Sequence, residues 1–403
     1  MTTPVPEEEK RKEEKARRKK KLLILLFFIV VFIAGGIWLF WWLMLGRFEE
    51  STSDAYVHGN IVEIMPQVSG YAAEIYVKET DYVKQGQSLV KLDTTDQELA
   101  FIKSKSDLAQ TVRQVAGEFE RTKALYARWN ASKAEYIKTK QDYTHRKNLV
   151  QAHGVSLEDY QHAAANFKIA KENVRRLKHD FLQALAFVEN TSINTHPLVL
   201  DAKQKMRQAY VNLKRCDIKS PSDGIVAQRK VQVGESVNPE NPLMTVIPLE
   251  QIWIDANFKE TDLKNIRIGQ QVIAEADMYG SNIKFTGKVA GINPGTGSIF
   301  SVLPPQNATG NWIKIVQRLP VRVQLDPKQV KDHPLWLGLT MKVAVKTKDR
   351  RGRVVSESAS LKKPLFHTQI FSEQLEGIDV IIASIVQKNL PKDVSPDAPF
   401  SLK

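Results

Sequence analysis

The chain has 403 residues, 42% hydrophobic and 26% charged, which is apolar enough for two or three packed modules and excludes a chain disordered throughout. Its formal net charge of +13 would suit nucleic acid. Yet the Lys and Arg are spread along helix faces, and no zinc-finger, helix-turn-helix or aromatic RNA-binding signature accompanies them, so no nucleic-acid partner is expected.

Residues 1–21 form a basic tail. Its segment from Glu7 to Arg18 is expected to be disordered or a frayed helix, and it ends in the cluster Lys15, Arg17, Arg18, Lys19, Lys20 and Lys21. Residues 22–45 then run without a charge from Leu22 to Leu45, long enough to cross a hydrocarbon core of about 30 Å as a helix. The run is too long for the apolar region of a signal peptide, and Gly46-Arg47-Phe48-Glu49-Glu50 offers no small-residue cleavage site. Trp38, Trp41 and Trp42 stand where an interfacial aromatic belt belongs. The basic cluster before the run, against Glu49, Glu50 and Asp54 after it, predicts a cytoplasmic N-terminus with everything beyond about Phe48 on the far side. The sole cysteine, Cys216, gives an exported chain no internal disulfide and reads as a buried thiol.

Short strands with glycine turns follow in residues 61–93, through Ile61-Val62-Glu63-Ile64, Ile75-Tyr76-Val77 and Leu89-Val90-Lys91-Leu92. The same order of Pro, Gly, valine-rich strand, Gly and strand returns in residues 214–250, at Pro221, Gly224-Ile225-Val226, Gly234 and Leu243-Met244-Thr245-Val246. Between the two halves, residues 94–213 are helical in period. Leu108, Val112, Val115, Phe119, Tyr126, Trp129, Tyr136, Tyr143 and Val150 form a heptad seam, answered by Tyr160, Ala163, Phe167, Ala170, Val174, Leu177, Phe181, Ala184 and Val188. This is a long α-helical coiled-coil hairpin, each arm roughly 80 to 85 Å long at 1.5 Å per residue.

Gly154 is expected to close the first helix in the left-handed conformation, Ser156 with Asp159 to cap the second, and Thr95 with Glu98 to open the first. Thr122, Lys133, Lys140 and Lys147 read as polar gaps in the seam, a reason to expect neighbouring copies beside it. The spacing leaves open whether the second arm breaks at His196-Pro197.

Residues 251–348 return to short alternating strands, which suggest a small β-barrel, and the strand at Ala55-Tyr56-Val57-His58-Gly59-Asn60 in residues 46–60 is expected to complete it. Residues 349–403 are a tail with an amphipathic helix over Glu373 to Asn389, expected on the barrel; the alternative, lying on the membrane, is disfavoured by a face without a Lys-rich border. The fold class is thus α+β: an elongated, membrane-anchored chain that goes out through barrel, sandwich and rod and returns in reverse order.

The repeated half-motif resembles the flattened β-sandwich of biotinyl and lipoyl carriers cut open at its central hairpin, a split lipoyl-like domain. No lysine-bearing tip remains, because Asp93 leads straight into the rod. The whole chain from Leu22 to Lys348 resembles a periplasmic adaptor, or membrane fusion protein, of the HlyD superfamily and its EmrA type. The resemblance rests on Thr52-Ser53-Asp54-Ala55-Tyr56-Val57-His58-Gly59-Asn60, on Trp253-Ile254-Asp255-Ala256-Asn257-Phe258-Lys259-Glu260-Thr261, and on the stretch from Gly295 through Leu303-Pro304-Pro305-Gln306-Asn307 and Trp312 to Arg322.

That resemblance implies a non-enzymatic subunit of a tripartite multidrug efflux pump in the bacterial inner membrane. It would join a major-facilitator drug/proton antiporter to a TolC-like outer-membrane channel and self-associate as a trimer or hexamer. Adaptors of this kind carry an Arg, a Leu four residues on and a Ser seven beyond that at the hairpin tip. Leu149 and Ser156 keep the second spacing, His145 stands at the Arg place, and Arg146 is one residue off. Arg146, Leu149 and Ser156 are accordingly the residues expected to meet the channel. An adaptor of a type I protein-secretion exporter and a structural envelope tether are the alternatives. Neither catalytic residues nor a cofactor nor a metal is expected: the eight histidines are scattered, and Gly295-Thr296-Gly297 lacks the rest of a phosphate loop.

Overall fold

The computed structural model describes residues 7–44, 48–296, 299, 316–355, 364–391 and 394–401. The chain divides into two compact units, Met1–Val62 with Ile247–Phe366, and Glu63–Val246 with His367–Lys403. The family-like stretch through Leu303 and Trp312 lies outside the described residues.

In the first unit, helix α1 (Glu7–Met44) is continuous, so the segment from Glu7 to Arg18 is helical rather than disordered. Lys, Arg and Glu in alternation are good helix formers, and the apolar run beyond them supplies the length that nucleation needs. Its stretch Lys20–Phe40, 21 residues of mean hydropathy 3.0, is long and apolar enough to cross a membrane. Strand β1 (Glu49–Gly59) follows. It closes a barrel with strands that come much later in the chain: β10 (Ile252–Lys259), β11 (Gln271–Ala276), β12 (Lys284–Ile292), β13 (Arg318–Leu325) and β14 (Thr340–Lys346), in the spatial order β1-β10-β13-β12-β11-β14.

Alternation explains why the motif residues sit as they do. Ala55, Val57, Ile254, Ala256 and Phe258 point inward and are buried, while their neighbours form a polar ladder outside. On that outer face Asp255 accepts from Trp253 Nε1 at 2.9 Å and faces Arg322 Nε at 3.5 Å, and the Arg322 guanidinium lies 4.2 Å from the Trp253 ring centre. One row along, Asp54 pairs with Arg318 at 3.2 Å and accepts from Asn257 Nδ2 at 3.1 Å.

The second unit begins with β2 (Val62–Ile64), β3 (Gly70–Ile75), β4 (Tyr82–Val83) and β5 (Ser88–Leu92). After the helices it continues with β6 (Asp217–Lys219), β7 (Gly224–Arg229), β8 (Ser236–Val237) and β9 (Met244–Ile247). They make two four-stranded sheets, β2-β9-β7-β4 and β6-β5-β3-β8, so each sheet mixes strands from both halves of the sequence. Strands β5 and β6 pair antiparallel, with Val90 opposite Ile218, and the helices stand where a tight turn would otherwise join them. Cys216 lies at that junction, buried, its thiol pushed up by loss of water.

The first arm is one helix, α2 (Thr95–Gln151). Its opening differs from the Thr95–Glu98 expectation. Asp93 accepts from the Thr95 backbone N–H at 3.0 Å and from its hydroxyl at 2.7 Å, while the Thr94 hydroxyl bonds Glu98. A carboxylate two residues ahead reaches the free amides of the first turn better than a side chain already inside it. The same hydrogen bonds lower the pKa of Asp93.

The second arm is broken. Helix α3 (Leu157–Val188) stops, residues 189–196 cross over, and α4 (Pro197–Lys214) resumes toward the sheets. Pro197 has no N–H and disfavours helical backbone at His196, so it serves as the first residue of a new helix. His196 caps that helix, accepting from Leu198 N at 3.3 Å through Nδ1 and donating from Nε2 to the Phe187 carbonyl at 3.0 Å.

The tail helix α6 (Ile378–Lys388) follows α5 (Pro327–Asp332) of the first unit in chain order. It packs on α2 and α4 at the root of the hairpin, not on the barrel as expected. Ile378, Ile382 and Val386 join Phe101, Val112, Val115, Phe119 and Met206 in one core. Leu375 is excluded from it, because Gly377 at φ 81° turns the chain into the helix only at Ile378. Beyond α6, Phe400 meets Phe119 edge-on at 5.4 Å and its N–H bonds the Thr191 carbonyl, while Asn194 is tied to Pro396 and Asp397. The tail thus straps the place where the second arm breaks.

Candidate functional site: the hairpin tip

Toward its tip the hairpin is held by a ladder of rings taken from both arms. Phe181 stacks on Trp129 at 5.5 Å, Phe167 lies between Tyr136 at 5.4 Å and Tyr143 at 5.3 Å, and Tyr143 stacks on Tyr160 at 5.6 Å. Such pairs contribute about 0.5 to 1.5 kcal/mol each beyond the area they bury. The lysine gaps expected in the seam do not occur. Ser132 is buried, Thr139 and Arg146 are half-buried, and each stands one residue ahead of Lys133, Lys140 and Lys147. Lys140 and Lys147 are exposed, and Lys133 lays its ammonium 3.4 Å from the Trp129 ring centre. Burying an ammonium costs far more than burying a hydroxyl that bonds back to its own helix, as Ser132 does to the Trp129 carbonyl and Thr122 to Glu118. Thr122, expected as a gap, does lie buried in the seam.

The turn itself closes by a different residue from the one expected. His153, at φ 53°, takes the left-handed conformation, and Gly154 does not. His153 N–H bonds the Val150 carbonyl at 3.1 Å, and Gly154 N–H bonds the Leu149 carbonyl at 2.9 Å. This is the crossed pair of a Schellman end, shifted one residue earlier than the glycine suggested. Ser156 then caps α3, accepting from Asp159 N–H at 3.0 Å and donating its hydroxyl to the Asp159 carboxylate at 2.6 Å. Arg146 Nε bonds Asp142 on its own helix at 3.0 Å, and its guanidinium lies 3.7 Å from Asp159 on the other arm. Arg146 and Ser156 are therefore linked through Asp159. The Ser156 hydrogen bond, reinforced by Arg146, lowers the Asp159 pKa below its ordinary 3.8. With the folded value lowered, this support is fully present above about pH 4 and is lost as pH falls through the lowered value.

Leu149 uses its backbone in the turn and leaves its side chain 45% exposed. Leu157, not anticipated from the sequence, is 63% exposed at the first position of α3. Its signal was a large apolar residue directly after a cap, where a soluble tip has no use for one. His145 and His153 are exposed and His162 faces Glu158 at 3.6 Å; among the described residues no group of three His, Cys, Asp or Glu side chains could hold a metal ion. The tip offers two exposed leucines beside a short ionic network, a surface suited to packing against other helices rather than to bond chemistry.

Ser156→Ala should cost about 1 kcal/mol of local stability by removing the cap. His153→Gly should raise it by about 0.5 to 1 kcal/mol by relieving the left-handed backbone. Amide exchange at residues 149–160 measures both, and faster exchange in the glycine variant would refute the strain.

The model of an "EMRA, alpha-helical hairpin domain" matches residues 95–216, and that of an "AAEA-like beta-barrel domain" matches residues 251–346. The chain is 41% identical over 353 residues to the "Multidrug export protein EmrA" of Escherichia coli K12, covering 88% of this chain and 90% of the relative. The chain belongs to the EmrA family. A second E. coli K12 relative, "Probable multidrug resistance protein EmrK", is 42% identical over 84% of this chain and 88% of its own. A solved structure titled "Structure of the periplasmic adaptor protein EmrA" aligns over 74% of this chain and 99% of its own, at 21% identity and a TM-score of 0.37. In this EmrA-family chain the hairpin match ends at Cys216, where the rod rejoins the sheets. The barrel match ends at Lys346, so the strap formed by the tail lies outside both domain models.

Proposed function

We propose that this EmrA-family chain is the adaptor of a tripartite multidrug efflux pump, joining an inner-membrane major-facilitator drug/proton antiporter to a TolC-like outer-membrane channel. The observation that carries this reading is the 41% identity, across nearly the full length of both chains, to a protein named for multidrug export. The apolar helix fits a single-pass anchor, and the lysines and arginines before it against Glu49, Glu50 and Asp54 after it support a cytoplasmic N-terminus with barrel, sandwich and hairpin in the periplasm. Arg146, Leu149 and Ser156 are the proposed channel contact, supported by the exposed leucine and by the ionic network that fixes Arg146 beside it. The role asks for no catalysis.

Self-association into a trimer or hexamer belongs to the same reading. Leu99 and Ile102, both exposed and one turn apart on α2, supply an apolar strip for a second copy. Cross-linking in native membranes followed by purification of the chain tests the assignment: the expected companions are a major-facilitator transporter and an outer-membrane channel. Recovery with an ATP-driven exporter instead would move the chain to the secretion class, and an alkaline phosphatase fusion at Lys403 inactive in the periplasm would overturn the bridge.

A further inference from the structure

The chain leaving β14 carries Lys346, Lys348, Arg350, Arg351 and Arg353 within eight residues, against a single carboxylate. That carboxylate, Asp349, is engaged by Arg351 at 2.9 Å and is held down to about 2, so it neither titrates near neutrality nor reaches across to the other cations. The ribbon is fixed in place. Gln270, buried in the barrel, donates from Nε2 to the Asp349 carbonyl at 2.8 Å and to the Asn265 carbonyl at 3.0 Å, and Ile268 N–H bonds the Arg353 carbonyl at 2.9 Å. Gly352 is required by the close approach: a Cβ there would stand 2.5 Å from the Ile268 carbonyl oxygen. All five basic side chains are exposed, and Val354 and Val355 follow them, Val355 being 77% exposed.

The location of the ribbon is set by the chain itself. Thr347 N–H bonds the Phe48 carbonyl at 2.8 Å, and Lys346 pairs with Glu49 across the strands. Phe48 lies four residues beyond Met44, the end of α1, and four residues span at most about 14 Å. The headgroup layer on each side of a bilayer is about 5 to 7 Å deep. A ribbon tied to Phe48 therefore stands within reach of the surface of whatever membrane α1 crosses.

We propose that residues 346–355 are a docking site for the anionic phospholipid headgroups of that bilayer, with the cations at the phosphates and the two valines turned to the interface. An acidic protein face would offer the same charge. The tether, however, fixes the distance to lipid and to nothing else, and exposed valines beside cations suit a membrane surface. The proposal rests on α1 spanning the membrane and is independent of the efflux assignment. Docked, the ribbon would fix the barrel against the membrane.

The test uses the full chain in nanodiscs, with an environment-sensitive dye on Val355→Cys; Cys216 is buried and stays unlabelled. Quenching by nitroxide-headgroup lipid should be strong in discs containing phosphatidylglycerol, weak in discs of phosphatidylcholine alone, and abolished by molar salt, which cuts the screening length to about 3 Å. Each cation near an anionic surface is worth roughly fivefold, so Lys348→Gln/Arg350→Gln/Arg351→Gln should lower the docked-to-undocked ratio about a hundredfold. An unchanged circular dichroism spectrum of the triple variant separates this loss from misfolding. Equal quenching in the two lipids, or quenching that survives the triple substitution, overturns the proposal. Quenching that appears only when another protein is added overturns it in favour of an acidic partner.

Discussion

Ile382→Asp is expected to loosen the root of the hairpin by about 4 to 5 kcal/mol, the loss of a buried isoleucine together with an unpaired carboxylate placed in an apolar core. Ile382 lies in the cluster that joins α6 to Phe101, Val115 and Met206. Release of α6 also frees the strap around residues 189–196, where Phe400 and Asn194 hold the break in the second arm. Val380→Asp on the same helix is the control: Val380 is 75% exposed, so its change should stay within about 0.5 kcal/mol. Urea unfolding followed by amide exchange in residues 101–119 and 197–214 reads the difference. Equal stability of the two variants would show that the tail merely rests on the root.

At the other end of the hairpin, Leu149→Asp is expected to abolish drug resistance in cells while leaving expression and melting unchanged. If Leu149 packs against a channel helix, burying its replacement carboxylate without a partner costs a few kcal/mol of association, enough for a loss of a hundredfold or more in occupancy. In the free chain the same carboxylate reaches solvent from a side chain 45% exposed in the last turn of α2 and costs the fold little. Ser156 needs more care, since its hydroxyl caps α3 and a bulky replacement would remove the cap as well as the contact. Ser156→Asp retains a capping oxygen but sets a second carboxylate against Asp159, so its loss of resistance reports docking only where its melting is unchanged. Arg146→Ala should act more mildly, because its ionic partners Asp142 and Asp159 are exposed and each such pair contributes little. Full resistance in both Leu149→Asp and Ser156→Asp would place the channel contact elsewhere.

The seam is the case in which periodicity was right about the arms and wrong about the side chains between the anchors. Trp129, Tyr136 and Tyr143 are seven residues apart, and the ladder is built on them. A seven-residue repeat does not say whether the third or the fourth residue after each anchor faces inward. A small rotation of the helix decides that: the cost of burying an ammonium turns Lys140 outward and brings in the Thr139 hydroxyl, while Arg146 stands half-buried in place of Lys147 because Asp142 and Asp159 pair with it. Likewise, a glycine beside a helix end marks a turn but not its left-handed residue. His153 takes that conformation because the two crossed hydrogen bonds fall to Val150 and Leu149.

By itself the sequence determined what local chemistry dictates. An uncharged run long enough for a bilayer, heptads that meet no Pro before Pro197, a serine three residues before an aspartate, and alternation in the motif strands each act over a few residues and leave little choice of backbone. The Ser156–Asp159 cap and the inward set Ala55, Val57, Ile254, Ala256 and Phe258 follow from that alone. The closing of the barrel by the strand at residues 55–60 was legible too. Only the tertiary structure decided that the tail lies on the hairpin root and that the ribbon after β14 is tied to Phe48. An amphipathic face such as that of α6 specifies burial but not its partner, because apolar attraction has no direction. At the root two polar ties accompany the apolar contact, Tyr210 to the Glu376 carbonyl and Arg207 to Asp379, beside the core in which the α6 isoleucines join Met206 and Phe101.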